Sequence, residues 1–341
     1  SATLNGTVTA NGGTTTSWFD YGTVSGVYTG SSTTQSVAGS GATAVGISIS
    51  GFSVSTTYYY RISAQNDAGT STGSDASFAT MAETTAPVGS LGINSGASYT
   101  TSAGVTLNLS ATDAAGVTGY YVSSSSSPPL AGAAGWTSVT STTSYNANVS
   151  YTLSGSDGSK TLYAWYKDVA GNVSGTANAS ITLDTTSPTG AVTINGGASA
   201  TSGTTASLTL LATDTYGVSQ MKFSNDNSTW SSAESYATTR TWTLATGDGA
   251  KTVYVKYQDN AGNWSGAYSD TITLDSVAPA GSLNVNSGAS YTGTTTVTLN
   301  LSATDSVGVA GYYVSETSTT PSAGASGWVM VTSVTGYSAN V

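Results

Sequence analysis

Carboxylates are the side chains in this sequence whose types and spacing could do chemistry. His and Cys are both absent from its 341 residues, which removes the usual general base, the thiol nucleophiles and most transition-metal sites. The acids recur at matching points instead. Asp113, Asp214 and Asp305 each follow Ala-Thr and stand three residues before a Gly-Val step, while Glu83, Asp184 and Asp275 each lie four positions before a proline. Hard cations need several oxygens at once, so these six residues are candidate calcium ligands, and calcium between tandem modules would stiffen them. The competing reading is that each Asp caps a turn through nearby backbone amides. No dense D-x-D-x-D-G motif is present, and the turn-capping reading outweighs the metal. Paired carboxylates also hydrolyse glycosides, but acids spread one or two per repeat in equivalent positions read as architecture. The expectation is a protein that is not an enzyme and has no catalytic or cofactor-binding residues beyond the calcium candidates.

The elements that must position these acids are short strands. Apolar residues alternate with Ser, Thr or Gly at period two, as in Thr3-Leu4-Asn5-Gly6-Thr7-Val8 and Ala206-Ser207-Leu208-Thr209-Leu210, and Gly, Asn, Asp and Pro punctuate the runs. Three joints interrupt the pattern: Glu83-Thr84-Thr85-Ala86-Pro87, Asp184-Thr185-Thr186-Ser187-Pro188 and Asp275-Ser276-Val277-Ala278-Pro279. Proline fixes φ and biases its predecessor to extended backbone, so each joint reads as a short, stiff hinge. The predicted class is all-β, a tandem array of β-sandwiches over residues 1–83, 84–184, 185–275 and 276–341. The second unit carries a longer loop, Ser123 to Gly135, where the third has Ser224-Asn225-Asp226-Asn227-Ser228-Thr229 and hence a tight turn.

The first unit resembles a bacterial fibronectin type III domain. The likeness rests on Leu4-Asn5-Gly6-Thr7-Val8, Trp18-Phe19-Asp20-Tyr21-Gly22, Phe52, the run from Tyr58 to Gly69, and Phe78-Ala79-Thr80. It implies that Tyr58, Tyr60 and Ile62 face inward, with Tyr58 as the corner tyrosine and Phe52 plugging the sandwich. The later units resemble bacterial immunoglobulin-like repeats of large secreted and cell-surface proteins. They share Ala-Thr-Asp with Gly-Val, the blocks Asp157 to Tyr163 and Asp248 to Tyr254, Asp168-Val169-Ala170-Gly171-Asn172 and Asp259-Asn260-Ala261-Gly262-Asn263, and closing Ile-Thr-Leu-Asp. Leu162, Ala164 and Tyr166, like Val253, Val255 and Tyr257, are expected to be buried.

Seventeen acidic residues stand against seven basic ones, for a net charge of −10 with only 7% charged residues. Nucleic acid is a poor partner for that surface, a polybasic membrane patch is absent, and no apolar run approaches the ~20 residues of a membrane helix. Trp136, Trp230 and Trp328 recur once per repeat as sheet anchors, whereas Tyr59, Tyr163 and Trp165 point outward as candidate surfaces for glycans or for a neighbouring subunit. Eight Asn-x-Ser/Thr triplets arise by chance in so hydroxyl-rich a chain.

The fourth unit copies residues 96–149 at a constant offset and lacks a counterpart of Ser150 to Asp184, which would leave Leu299, Leu301, Val309 and Tyr313 facing a half-open core. Further residues, strands supplied by a neighbouring subunit, or a proteolytic end each account for this. The chain reads as a processed piece of a longer secreted product. Its expected role is structural: an extracellular or cell-surface fibre, stalk or filament that self-associates into a homopolymer or bundle. The alternatives are a calcium-stiffened adhesin spacer and a non-catalytic carbohydrate-binding accessory of a polysaccharide-degrading enzyme.

Overall fold

The computed structural model describes residues 1–341. With 57% of residues in strands and 3% in helix the chain is all-β, as its alternation predicts. Three-residue 3-10 turns at Asn94–Gly96, Asn195–Gly197 and Asn286–Gly288 are its only helical segments. It divides into two compact units, residues 1–96 with 106–151 and 161–180, and residues 97–105 with 152–160 and 181–341.

At the N-terminal end, Ala2–Thr9 pairs antiparallel with Ala42–Ile49, with Leu4 opposite Ile47. The facing sheet is built on Thr15–Gly22 and Thr57–Asn66. Alternation turns Leu4, Val8, Phe19, Val37 and Val45 into one buried cluster, with Tyr60 and Ile62 packed against it. Tyr58 lies beneath, its hydroxyl accepting the Ser53 N–H at 3.0 Å, and Phe52 sits 4.6 Å from its ring. Both residues take the corner positions that the fibronectin type III likeness implies.

Between residues 88 and 183 a single strand, Gly104–Ser123, runs for 20 residues. Its first half pairs with Val88–Ile93 and its second with Gly158–Asp168, so it serves two layers in turn. The next repeat breaks the equivalent path into Thr205–Thr213 and Val218–Ser224, with Gly217 at φ +91° in the intervening turn. One of its sheets joins Thr189–Ile194, Thr205–Thr213 and Thr239–Thr243. The other holds Val218–Ser224, Gly249–Asp259 and Tyr268–Leu274. Leu208, Leu210, Met221, Phe223, Val253, Val255 and Tyr257 fill the space between them. Leu162, Ala164 and Tyr166 are buried in the same way.

The last sheet contains three strands, Ala280–Val285, Leu299–Tyr312 and Val329–Asn340. Leu299, Leu301 and Tyr313, expected to face a half-open core, are half-exposed. Val309 departs from that expectation: opposite Val334 in the register, it is buried.

One contact recurs in the sandwich that holds Val88–Ile93 and in the one that holds Thr189–Ile194. The Tyr257 hydroxyl donates to the Ala191 carbonyl at 2.6 Å, and the Tyr166 hydroxyl to that of Ser90. Burial pushes the Tyr166 hydroxyl up to about 12, so it stays protonated and able to donate. Each ring lies across a glycine. A Cβ on Gly190 would stand 2.5 Å from the Tyr257 ring and 2.5 Å from the Leu211 carbonyl oxygen, and Gly89 is tighter still against Tyr166. Gly190→Val is therefore expected to lower stability by about 1–3 kcal/mol through overpacking. Tyr257→Phe, which removes only the hydroxyl, is expected to cost about 1 kcal/mol. Urea midpoints measure both, and a Gly190→Val midpoint equal to that of the parent chain would contradict the packing.

Candidate functional site

Three strands of residues 181–341 and its neighbourhood end at one point. Asp184 follows Ala177–Leu183, Asp214 follows Thr205–Thr213, and Asp259 closes Gly249–Asp259. A carboxylate oxygen from each lies within 4.8 Å of the other two. Asp184 and Asp259 are 1% exposed, and Asp214 is half-buried.

Backbone and amide donors satisfy most of these oxygens. Asp259 Oδ1 accepts the N–H groups of Gly262 and Asn263 at 2.6 and 2.9 Å, and its Oδ2 accepts Asn263 Nδ2 at 2.8 Å. That amide also donates to the Asp184 carbonyl at 2.9 Å. Asp214 Oδ1 accepts the Tyr216 N–H at 2.7 Å, and Asp184 Oδ1 accepts the Thr186 N–H at 3.1 Å. Asp184 Oδ2 is buried and has no partner. Burial pushes the Asp184 carboxyl above its usual range; the Thr186 N–H opposes this, while the charges of Asp259, Asp214 and Asp157 add to it.

A buried carboxylate with one unpartnered oxygen, beside two further carboxylates, offers oxygens that a hard cation could take. Asp184, Asp214 and Asp259 are the residues that would hold it, and the ion's charge would relieve their mutual repulsion.

The other acids singled out by sequence take different places. Asp113 Oδ1 accepts from the N–H groups of Ala115 and Gly116, and Asp305 Oδ1 from those of Val307 and Gly308, both as turn caps. At the first joint the longer Glu83 reaches Asn172, whose Nδ2 donates to Glu83 Oε2 at 2.6 Å and to Asp168 Oδ2 at 2.7 Å. An amide hydrogen does there what a cation would do at Asp184. Asp275 is half-buried, with its N–H on the Thr201 carbonyl, and residues up to 341 supply no counterpart of Asp259 beside it. Only Asp184 and Asp214 of the six candidates are thus brought together. Asp259 was missed, although the repeated Asp-x-Ala-Gly-Asn block that contains it was the available signal.

The joint itself is held by a second acid. Asp157 accepts the Thr185 N–H, the Thr185 hydroxyl and the Thr186 hydroxyl, each at 2.9 Å. Asp248 repeats this with the N–H and hydroxyl of Ser276 at 2.8 and 2.7 Å. The Thr185 N–H, followed by the two hydroxyls, holds the Asp157 carboxyl below its usual range.

Among the aromatics, Trp136, Trp230 and Trp328 are half-buried. Trp136 and Trp328 stand edge-on, 5.7 Å from Tyr121 and Tyr313 respectively. Trp165 is not an exposed surface: its ring is fully buried against Tyr121 and Tyr163, with Nε1 donating to Thr176 Oγ1. The outward side of that strand is roofed by aromatic neighbours.

No protein-family model matches the chain, and no curated protein matches it. Among solved structures it is similar to fibronectin(III)-like modules of CbhA from Clostridium thermocellum, at 16% identity and TM-score 0.34 over 54% of this chain and 93% of that one. It is also similar to the FN1–FN3 domains of chicken CNTN1, at 13% identity and TM-score 0.33 over 77% and 90%. A third is a tetra-tandem repeat in the extending region of a large adhesion protein, at 20% identity and TM-score 0.27 over 99% and 86%. Likenesses this distant say nothing of function. The strand registers above are those of antiparallel β-sandwich modules in an all-β chain.

The raised pKa of Asp184 sets a pH dependence. The folded state holds this proton more tightly than the unfolded one, so the group's contribution to stability is greatest at low pH and is lost as pH rises through the folded pKa. Without divalent cations, Asp184→Asn is therefore expected to raise stability at pH 7 by about 1 kcal/mol, the scale of one hydrogen bond gained where none was made. The advantage should shrink towards pH 4. Chemical denaturation in chelator at both pH values measures it, and a destabilised Asp184→Asn chain at pH 7 would contradict the unpartnered oxygen.

Proposed function

We propose that this chain is a non-catalytic structural spacer of an extracellular surface fibre or stalk. Its modules are residues 1–83, 84–184, 185–275 and 276–341, and the joint at Asp184 is stiffened by calcium. The observation that supports this reading most directly is the clasp around that joint. Asp157 grips Thr185 and Thr186 with three hydrogen bonds, and Asn263 grips the Asp184 carbonyl from the other side. A flexible linker leaves its backbone to water; here side chains on both flanks hold it. Such a segment transmits force. The Ser/Thr-rich, weakly charged surface also lets neighbouring chains pack with little repulsion, in keeping with self-association.

The cation reading rests separately on the unpartnered Asp184 oxygen and its two carboxylate neighbours. Extracellular calcium modules bind with Kd of about 10⁻⁴–10⁻³ M. A hundredfold excess over Kd should stabilise the folded chain by about 2.7 kcal/mol. Asp259→Asn and Asp184→Asn should abolish that gain. In saturating calcium the parent chain should therefore be the more stable, the reverse of the order in chelator. A calcium response that survives both substitutions would remove this site.

Pulling single molecules tests the spacer role itself. Modules that bear load independently unfold one at a time, the first three each releasing roughly 270–360 Å of contour length and residues 276–341 roughly 220–240 Å, at ~3.3–3.6 Å per residue. Unfolding of the whole chain in one cooperative step would sink the proposal.

A further inference from the structure

The outward face of the sheet containing Val218–Ser224 and Gly249–Asp259 carries an arrangement that neither the core nor the joints explain. Lys222 and Lys256 stand directly opposite each other in the antiparallel register. Like charges in that position repel. The chain has only seven cations against seventeen acids, so a carboxylate neighbour would be easy to supply. None is used: neither ammonium makes an ion pair or a hydrogen bond within its compact unit, whereas Arg240, from the opposite sheet, pairs with Glu234. Two indoles hold the cations instead. Lys222 Nζ lies 4.2 Å from the Trp264 ring centre and 5.7 Å from that of Trp230, and Lys256 Nζ lies 4.9 Å from Trp230. A ring face offers no hydrogen-bond acceptor in the plane of the donors, so the ammonium N–H groups remain available.

Beside this platform, Trp230 and Trp242 both line a groove of about 420 Å³. Asn225 lines it and is already spent, its Oδ1 accepting Trp242 Nε1 and its Nδ2 donating to the Thr243 carbonyl. Asp226 Oδ1 is likewise engaged by the N–H groups of Ser228 and Thr229, which leaves Oδ2 as an acceptor facing solvent. Two indoles and one acceptor suit a sugar ring with its hydroxyls. Two adjacent unpaired ammoniums suit a carboxylate.

We propose that Lys222, Lys256, Trp230 and Trp264 form a binding site for an acidic polysaccharide, a polyuronate. One carboxylate bridges the two ammoniums while the neighbouring ring enters the groove that Trp230 and Trp242 line. The equivalent pair in the preceding repeat is Tyr121 opposite Trp165, which carries no charge, so the site belongs to one repeat alone.

Titration of the full chain with polygalacturonate at low salt, followed by tryptophan fluorescence, tests this. The expected result is a saturable change that weakens at 0.5 M salt, falls at least tenfold in affinity in the Lys222→Gln/Lys256→Gln chain, and persists in Lys222→Arg/Lys256→Arg. Lys251→Gln, on the opposite side of the same strand, should bind as the parent does. Thermal melts establish that each variant is folded, and the parent titration decides the matter even if the Gln pair is not. No response to polygalacturonate in the parent, an equal response to polyphosphate, or undiminished binding by a folded Gln pair would each overturn the site.

Discussion

A tyrosine ring laid over a glycine governs two successive sandwiches of this chain. Tyr257 crosses Gly190 and ties the Ala191 carbonyl, and Tyr166 crosses Gly89 and ties that of Ser90. This contact does more than fill volume. It fixes the first strand of each sandwich on the strand before the last, and that first strand begins just after a prolyl joint. The position of the joint thus follows from the core. So does the meeting of Asp184, Asp214 and Asp259, since all three stand where core strands stop. A looser first strand would let the carboxylates part, and their repulsion favours that. Core packing is therefore what holds these like charges together.

The joints show how small differences in side-chain length decide between structure and ligand. Glu83 has one more methylene than Asp184. It reaches Asn172, and that amide bonds its carboxylate and the Asp168 carboxylate together. With Asp184 the corresponding amide, Asn263, meets the backbone carbonyl instead, and Oδ2 goes unpaired. Identical turn chemistry around Asp168 and Asp259 thus yields a paired carboxylate in one case and an unpartnered oxygen in the other. Repeats that look interchangeable by motif differ in electrostatics at the position where the modules meet their linkers.

Strands and inward residues were legible because they depend on period. Leu162, Ala164 and Tyr166 could be assigned to the core from alternation alone, and Tyr58 from its place in the run before Gly69. Ligand geometry was not legible. Sequence pairs Asp113 with Asp214 as equivalents, yet one only caps a turn while the other joins a cluster, because the deciding neighbour is a residue 45 or more positions away whose distance only folding sets. Trp165 misled for a related reason. Alternation correctly turns it away from the core, but burial on the outer face depends on Tyr121 and Tyr163, which arrive from a paired strand and from two residues back.

The same outer face separates the repeats most sharply. Inward positions are matched: Leu162 with Val253, Ala164 with Val255, Tyr166 with Tyr257, all buried. Outward, Tyr121 opposite Trp165 becomes Lys222 opposite Lys256. An apolar aromatic pair covers itself and gains by stacking. A lysine pair gains nothing from its partner and must be held by Trp230 and Trp264 to stay on the sheet. If the outer face served only to shield the core, the aromatic solution would do in both repeats. The costlier charged arrangement, in a chain that has acids to spare for neutralising it, is the feature of this face that shielding the core does not account for.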